Sequence, residues 1–179
     1  MSSGGIIIQI DDLQFHIDPG PGALSSAAKN GVNIRANTAL LVSNNELLSC
    51  NDVNAVIEAM TYSGEDKKGV LVASPTLING KNDSFPYVTK RSMSFVERII
   101  TLNKKQKVGI EDVEIHAMHT TGSDPEGIGL KFYTPYFIIS YSSDTSYSAK
   151  LIKEYKDSDI LILNVTNPKG VKTAGQLNS

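Results

Sequence analysis

Residues 38–60 read TALLVSNNELLSCNDVNAVIEAM. Thr38 to Ser43 is an unbroken apolar run, the pattern of a strand buried on both faces. A polar segment follows, and Asn51-Asp52 can cap a helix that starts near Val53. The apolar residues of that helix, Val53, Val56, Ile57 and Met60, fall at i, i+3, i+4 and i+7, so a single stripe faces a core. A buried strand, a polar loop and an amphipathic helix in succession are the building unit of an α/β protein.

The pattern repeats on both sides. Upstream, Ile6 to Ile10 and Leu13 to Ile17 are β-prone runs around Asp11-Asp12, which predicts a hairpin. Leu13, Phe15 and Ile17 share one face of the second run. Asp18-Pro19-Gly20-Pro21-Gly22 ends regular structure. Downstream, Gly69 to Ser74 (GVLVAS) is a strand closed by Pro75, and Gly80 to Pro86 is loop-like. Ser92 to Thr101 reads equally as a strand or a short helix. Val113 to Met118 alternates, and Gly129 to Tyr133 pairs with Phe137 to Tyr141 around Thr134-Pro135. Ser146 to Tyr155 has helical spacing. Asp159 to Val165 (DILILNV) reads as another buried strand, followed by Pro168-Lys169-Gly170. Strand–helix alternation predicts a layered α/β domain with helices outside the sheets, and the hairpins predict that the sheets are mixed.

Composition sets the outer bounds. The chain has 179 residues, 40% hydrophobic and 20% charged, which suits one globular domain spanning 1–179 and excludes a disordered tail. Its 17 basic and 19 acidic residues leave a net charge of −2, giving no case for nucleic-acid binding. Cys50 is the only cysteine, which excludes a disulfide framework and a thiolate zinc site. No run approaches the roughly 18 apolar residues of a membrane span, and the start lacks the pattern of a signal peptide. The expectation is a soluble cytoplasmic protein.

Phosphate-binding, dinucleotide-binding and nucleophile-elbow motifs are absent. Four segments at strand ends could carry chemistry. Asp18 to Leu24 is either a rigid Pro/Gly turn or the floor of a site with Asp18 as its buried carboxylate. Ser43 to Asp52 is a polar loop with a helix cap. His119 to Gly129 holds a strand-end histidine, structural or ligating. Ser143 to Ser146 offers Asp144 as an N-cap or a metal ligand. Lys104-Lys105-Gln106-Lys107 reads as a solvated turn.

Taken together, these segments resemble the metallo-β-lactamase fold superfamily, especially its archaeal metal-dependent hydrolases. The pieces that carry the resemblance are Phe15 to Leu24, Asn51 to Thr61, His119 to Phe132, Tyr141 to Tyr147 and Asp159 to Gly170, in that order. The resemblance implies a metallo-β-lactamase-like αββα sandwich of two mixed sheets, with both ends shorter than the family's. It also implies two metals per site, zinc or else iron or manganese, that activate water for attack on an ester, amide or phosphodiester.

The family's T-H-x-H-x-D-H signature is degenerate here. Against Ser43 to Ser49, Asn44, Glu46 and Ser49 replace the three histidines and Leu48 replaces the aspartate. The resemblance keeps a third-segment histidine as His119 and the bridging carboxylate as Asp144, and sets Gln176 where relatives carry a histidine. A catalytic zinc needs about three protein donors plus a water. His119 and Asp144 are donors, Glu46 is a weaker third, and Asn44, Leu48 and Ser49 are not. The expectation is therefore a pseudo-hydrolase holding no metal or one weakly bound, with no confident catalytic residue. The rivals are an atypical single-metal hydrolase and a non-enzymatic association subunit. A small anionic ligand and further copies of the chain are the partners that fit.

Overall fold

The computed structural model describes residues 4–80, 85–167 and 175–178. Residues 81–84, inside the expected loop, and Pro168-Lys169-Gly170 lie outside them. The chain divides into two units, Met1–Thr101 and Leu102–Ser179.

The first unit runs β1 (Ile6–Ile10), β2 (Leu13–Ile17), α1 (Ala23–Lys29), a 3₁₀ turn (Ile34–Ala36), β3 (Asn37–Val42), α2 (Leu47–Cys50), α3 (Val53–Met60), β4 (Val70–Ala73), α4 (Pro75–Asn79), α5 (Lys90–Phe95) and β5 (Arg98–Thr101). Its sheet order is β1-β2-β3-β4-β5, antiparallel at the β1–β2 hairpin and parallel elsewhere. Asp11 makes the hairpin turn at φ 49°, a left-handed conformation in which Asp and Asn are enriched. In β3, Ala39, Leu40, Leu41 and Val42 are at most 1% exposed, so both faces are covered as the apolar run predicts. Leu40 and Val42 share a core with Leu71 of β4 and with Val53, Ile57 and Met60 of α3. Each such side chain contributes about 1.5–3 kcal/mol by leaving water.

Two sequence readings change in this unit. The ambiguous stretch 92–101 is both alternatives in turn. Thr89 caps α5 by accepting the Ser92 N–H at 3.1 Å, and β5 follows after the buried Val96. Asp52 stands at the start of α3 but makes no side-chain bond to it. Its Oδ2 instead accepts the N–H groups of Gly22 and Ala23, both at 2.9 Å, while its own N–H donates to Pro19 O at 2.9 Å. The carboxylate therefore caps α1, because the Pro/Gly turn aims two unpaired N–H groups at it.

The second unit runs β6 (Lys107–Ile110), β7 (Val113–His119), β8 (Ile128–Tyr133), β9 (Ile138–Tyr141), α6 (Ala149–Tyr155), β10 (Ile160–Ile162), β11 (Val165–Asn167) and β12 (Leu177–Asn178). Five strands pair in the order β10-β9-β8-β7-β6. The pairs are antiparallel except β9–β10, where the α6 crossover makes a parallel neighbour. β11 and β12 form a separate parallel pair. Val113, Ile115 and Ala117 of β7 are buried while Glu114 and His116 are half-buried, matching the alternation. Lys131 on β8 is buried, and its Nζ donates to the backbone oxygens of Glu154 at 3.2 Å and Lys156 at 2.8 Å. A cation thereby satisfies carbonyls at the C-terminal end of α6. Beside it, a Cβ on Gly129 would collide with the Tyr155 hydroxyl, so the helix lies directly on the glycine backbone.

The expected buried strand at Asp159 to Val165 is corrected. Only Ile160–Ile162 pairs in the five-stranded sheet, at its end, while Val165 pairs with Leu177 in the separate β11–β12 pair, and Ile160, Leu161, Leu163 and Val165 are 44–48% exposed. After Ile162 the chain is drawn aside, because the Asn164 N–H donates to Ser142 Oγ at 2.9 Å. An apolar run does not report whether another strand lies beyond it. Among the described residues, no helix is long and apolar enough to cross a membrane.

Candidate functional site

In the first unit, Asp18 follows β2 at φ 49° and is 4% exposed. Its N–H donates to Leu41 O at 2.9 Å. Its Oδ1 accepts the Ser43 N–H at 2.7 Å and its Oδ2 accepts the Ser43 hydroxyl at 2.6 Å. One carboxylate thus ties together the ends of two neighbouring parallel strands. Ser43 was not singled out as a site residue from sequence. Its signal was its place directly after a buried strand, facing a Pro/Gly turn.

The residues that follow Ser43 serve the turn itself. Asn44 is buried, with Oδ1 accepting the Glu46 N–H at 2.8 Å and Nδ2 donating to Ser43 Oγ at 3.2 Å. Glu46 is half-buried at the start of α2, with no side-chain cap bond. Leu48 is 58% exposed, whereas Ser49 and Cys50 are buried.

In the second unit, His119 ends β7 half-buried, and its N–H donates to Glu154 Oε2 on α6 at 2.6 Å. Burial holds its imidazole below the usual histidine pKa. Lys150 and Lys104 push the same way, and Glu154 opposes them. Lys104 is not a solvated turn residue as expected. Its Nζ donates to Thr120 O at 3.0 Å and Pro125 O at 2.8 Å, bracing the loop after His119.

Asp144 follows β9 half-buried, and its Oδ1 accepts the side-chain amide of Asn164. The two loops are stitched together: the Thr121 N–H donates to Thr145 Oγ1 and the Ser146 N–H to Thr121 Oγ1, both at 3.1 Å. Gly122 packs on the Asp144 backbone so closely that a Cβ would clash. The Gly175 N–H donates to Ser146 Oγ at 2.8 Å, which brings in the segment carrying Gln176. His119, Asp144 and Gln176 therefore stand on three segments bonded to one another. Asn164 carried no sequence signal, since nothing local to it names a partner twenty residues earlier.

The donors among the described residues do not fit a metal centre. Among the described residues, no three His, Cys, Asp or Glu side chains are grouped to hold an ion. Asn44 is committed to its turn, Leu48 has no donor atom, and Asp144 is engaged by an amide.

The two mixed five-stranded sheets have structural counterparts. The metallo-β-lactamase fold protein YhfI from Bacillus subtilis matches with a TM-score of 0.80 at 17% identity, over 96% of this chain and 68% of that one. The chain has the metallo-β-lactamase fold. Zn(2+)-bound PqqB from Methylobacterium extorquens matches with a TM-score of 0.71 at 12% identity, over 96% of this chain and 67% of PqqB. The superfamily fold expected from the sequence, αββα with two mixed sheets, is the one adopted. In sequence, the chain is 31% identical to the uncharacterized protein MJ1374 of Methanocaldococcus jannaschii over 178 residues, 99% of this chain and 67% of that protein, and belongs to its family. No protein-family model matches the chain.

Proposed function

We propose that this metallo-β-lactamase-fold protein is a pseudo-hydrolase: it keeps the hydrolase scaffold without a two-metal centre and binds a small anion at its His119 end. The carrying observation is the segment Ser43 to Ser49. Ser43 is spent on Asp18 and Asn44 on the local turn, and the segment contributes no imidazole and, at Leu48, no carboxylate. Without a metal, water keeps its ordinary high pKa and is a poor nucleophile. The anion reading is supported by the charges that bear on His119, where Lys150, Lys104 and Lys105 outnumber Glu154.

The test is metal content and turnover of protein purified without chelator, with zinc, iron and manganese quantified per chain. Phosphodiester and ester substrates are assayed, and inorganic phosphate is titrated by calorimetry. Sub-stoichiometric metal, no turnover above background, and phosphate binding lost in Lys104→Ala/Lys150→Ala are expected. Two metals per chain, or turnover abolished by His119→Ala, would establish an atypical enzyme instead.

A further inference from the structure

His16, the one histidine of the first unit, is buried on β2 between its cross-strand neighbours Ile7 of β1 and Leu40 of β3. Its Nε2 donates to Gly4 O at 3.1 Å, and its Nδ1 has no partner among the described residues. This bond ties the start of β1 to the end of β2. Gly5, at φ 84°, lies so close there that a Cβ would meet Ile17 O at 2.5 Å, Asp18 O at 2.7 Å and His16 Nε2 at 3.0 Å. Beside the ring is a cavity of about 200 Å³, whose wall includes His16, Ile7, Ser26 and Asn30. β1 itself is lightly held. It has five residues, lies at the edge of its sheet against β2 alone, and only its Ile8 and Ile10 are buried.

We infer that His16 is an acid-released clasp: a proton on Nδ1 drives the ring out of its buried position, breaks the tie to Gly4 and opens β1 from a sheet that otherwise stays folded. The neutral ring carries its proton on Nε2, where Gly4 O accepts it. A second proton on Nδ1 meets no acceptor, and a buried, unpaired charge is not tolerated. The cavity gives the charged ring somewhere to go, with Ser26 and Asn30 on its wall, but the ring turns into it only by releasing Gly4. No neighbouring charge offsets this. β1 and β3 carry no ionisable residue, and α1 carries only the exposed Lys29 in its last turn. Asp52 is held by the N–H groups of Gly22 and Ala23, and Asp18 by Ser43. Burial therefore dominates and pushes the His16 pKa down, with only the Gly4 bond opposing it. The closed form refuses a proton that the open form takes near the ordinary value of about 6.5, so acid favours opening. Release of β1 leaves β2 with unpaired N–H and C=O groups, an edge on which another strand can pair.

Native-state amide hydrogen exchange of the full chain, read by NMR at pH 7.5 and 5.0 and corrected for the intrinsic exchange rate, tests this. The β1 amides bonded to β2 should lose protection by about ten- to thirtyfold at the lower pH, thirtyfold being the ceiling for one group of pKa about 6.5. Their exchange should be nearly independent of urea below about 1 M, as a small local opening requires, while the Leu40 and Leu71 amides follow the steep urea dependence of global unfolding. His16→Gln, which stays neutral, should hold β1 protection equal at the two pH values. If that variant does not fold, the wild type decides alone, because the other two histidines, His116 and His119, belong to the second unit. β1 protection that ignores pH would overturn the proposal. So would an acid effect on β1 with the urea dependence of Leu40 and Leu71, which is global unfolding, or one that persists in His16→Gln.

Discussion

Asp18 combines three unfavourable properties: a negative charge, 4% exposure and a left-handed φ. They are offset by two short bonds from Ser43. Replacing it with Ala leaves the buried Ser43 N–H and hydroxyl without that acceptor and should cost about 2–3 kcal/mol. Asn tolerates the backbone and restores one acceptor, so Asp18→Asn should cost less than half as much by urea denaturation. His16 gives the pH dependence. It is 1% exposed, its Nε2 donates to Gly4 O at 3.1 Å, and its Nδ1 is buried with no partner. Burial lowers its pKa, with the Gly4 bond opposing. The unfolded chain therefore binds a proton below about pH 6.5 that the folded chain resists. Stability from this residue is intact above that pH and is lost as pH falls toward the depressed value. Urea midpoints at pH 7.5 and 5.5 should differ more in the wild type than in His16→Gln.

At the scale of elements, α6 shows how a short helix is held. Seven residues are too few to be helical alone. Its N-terminus is capped by Ser148, which accepts the Leu151 N–H at 3.1 Å, and its C-terminus rests on the buried Lys131 ammonium. Tyr155 fits the notch left by Gly129, and Glu154 reaches the His119 backbone. Gly129→Ala should displace Tyr155 and lower the thermal midpoint by several degrees. Tyr155→Phe in the same chain removes the clashing hydroxyl and should recover part of the loss, a non-additivity that a double-mutant cycle measures. If the two changes simply add, α6 does not rest on Gly129 as described.

For the whole molecule, the contrast that matters is between a fold shared with Zn(2+)-bound PqqB and described residues among which no three His, Cys, Asp or Glu side chains are grouped to hold an ion. A structural or catalytic ion that binds only the folded state raises its stability by mass action. Here neither zinc nor EDTA should move the thermal midpoint by more than about 1 °C, where a zinc site at a hundredfold excess over its Kd would add about 2.7 kcal/mol. A stabilisation by zinc that EDTA reverses would contradict the donor set. Exposed apolar β10 belongs to the same scale, since whether a strand is interior or an edge is settled by what lies next to it.

The sequence by itself determined the elements whose cause is local. The β1–β2 hairpin, β3 and α3 follow from periodicities of two and 3.6 and from turn residues, and each lies where those patterns put it. The ordered set of strand-end segments was also legible, because motif order survives in the chain. Only the tertiary structure decided who bonds whom. Asp52 caps a helix thirty residues upstream, Asp144 is taken by Asn164, Lys131 serves the end of α6, and the apolar run at 159–165 becomes an exposed edge. The physical reason is that a hydrophobic period is a property of a few consecutive residues. A buried polar group instead takes its partner from whatever distant segment the fold sets beside it.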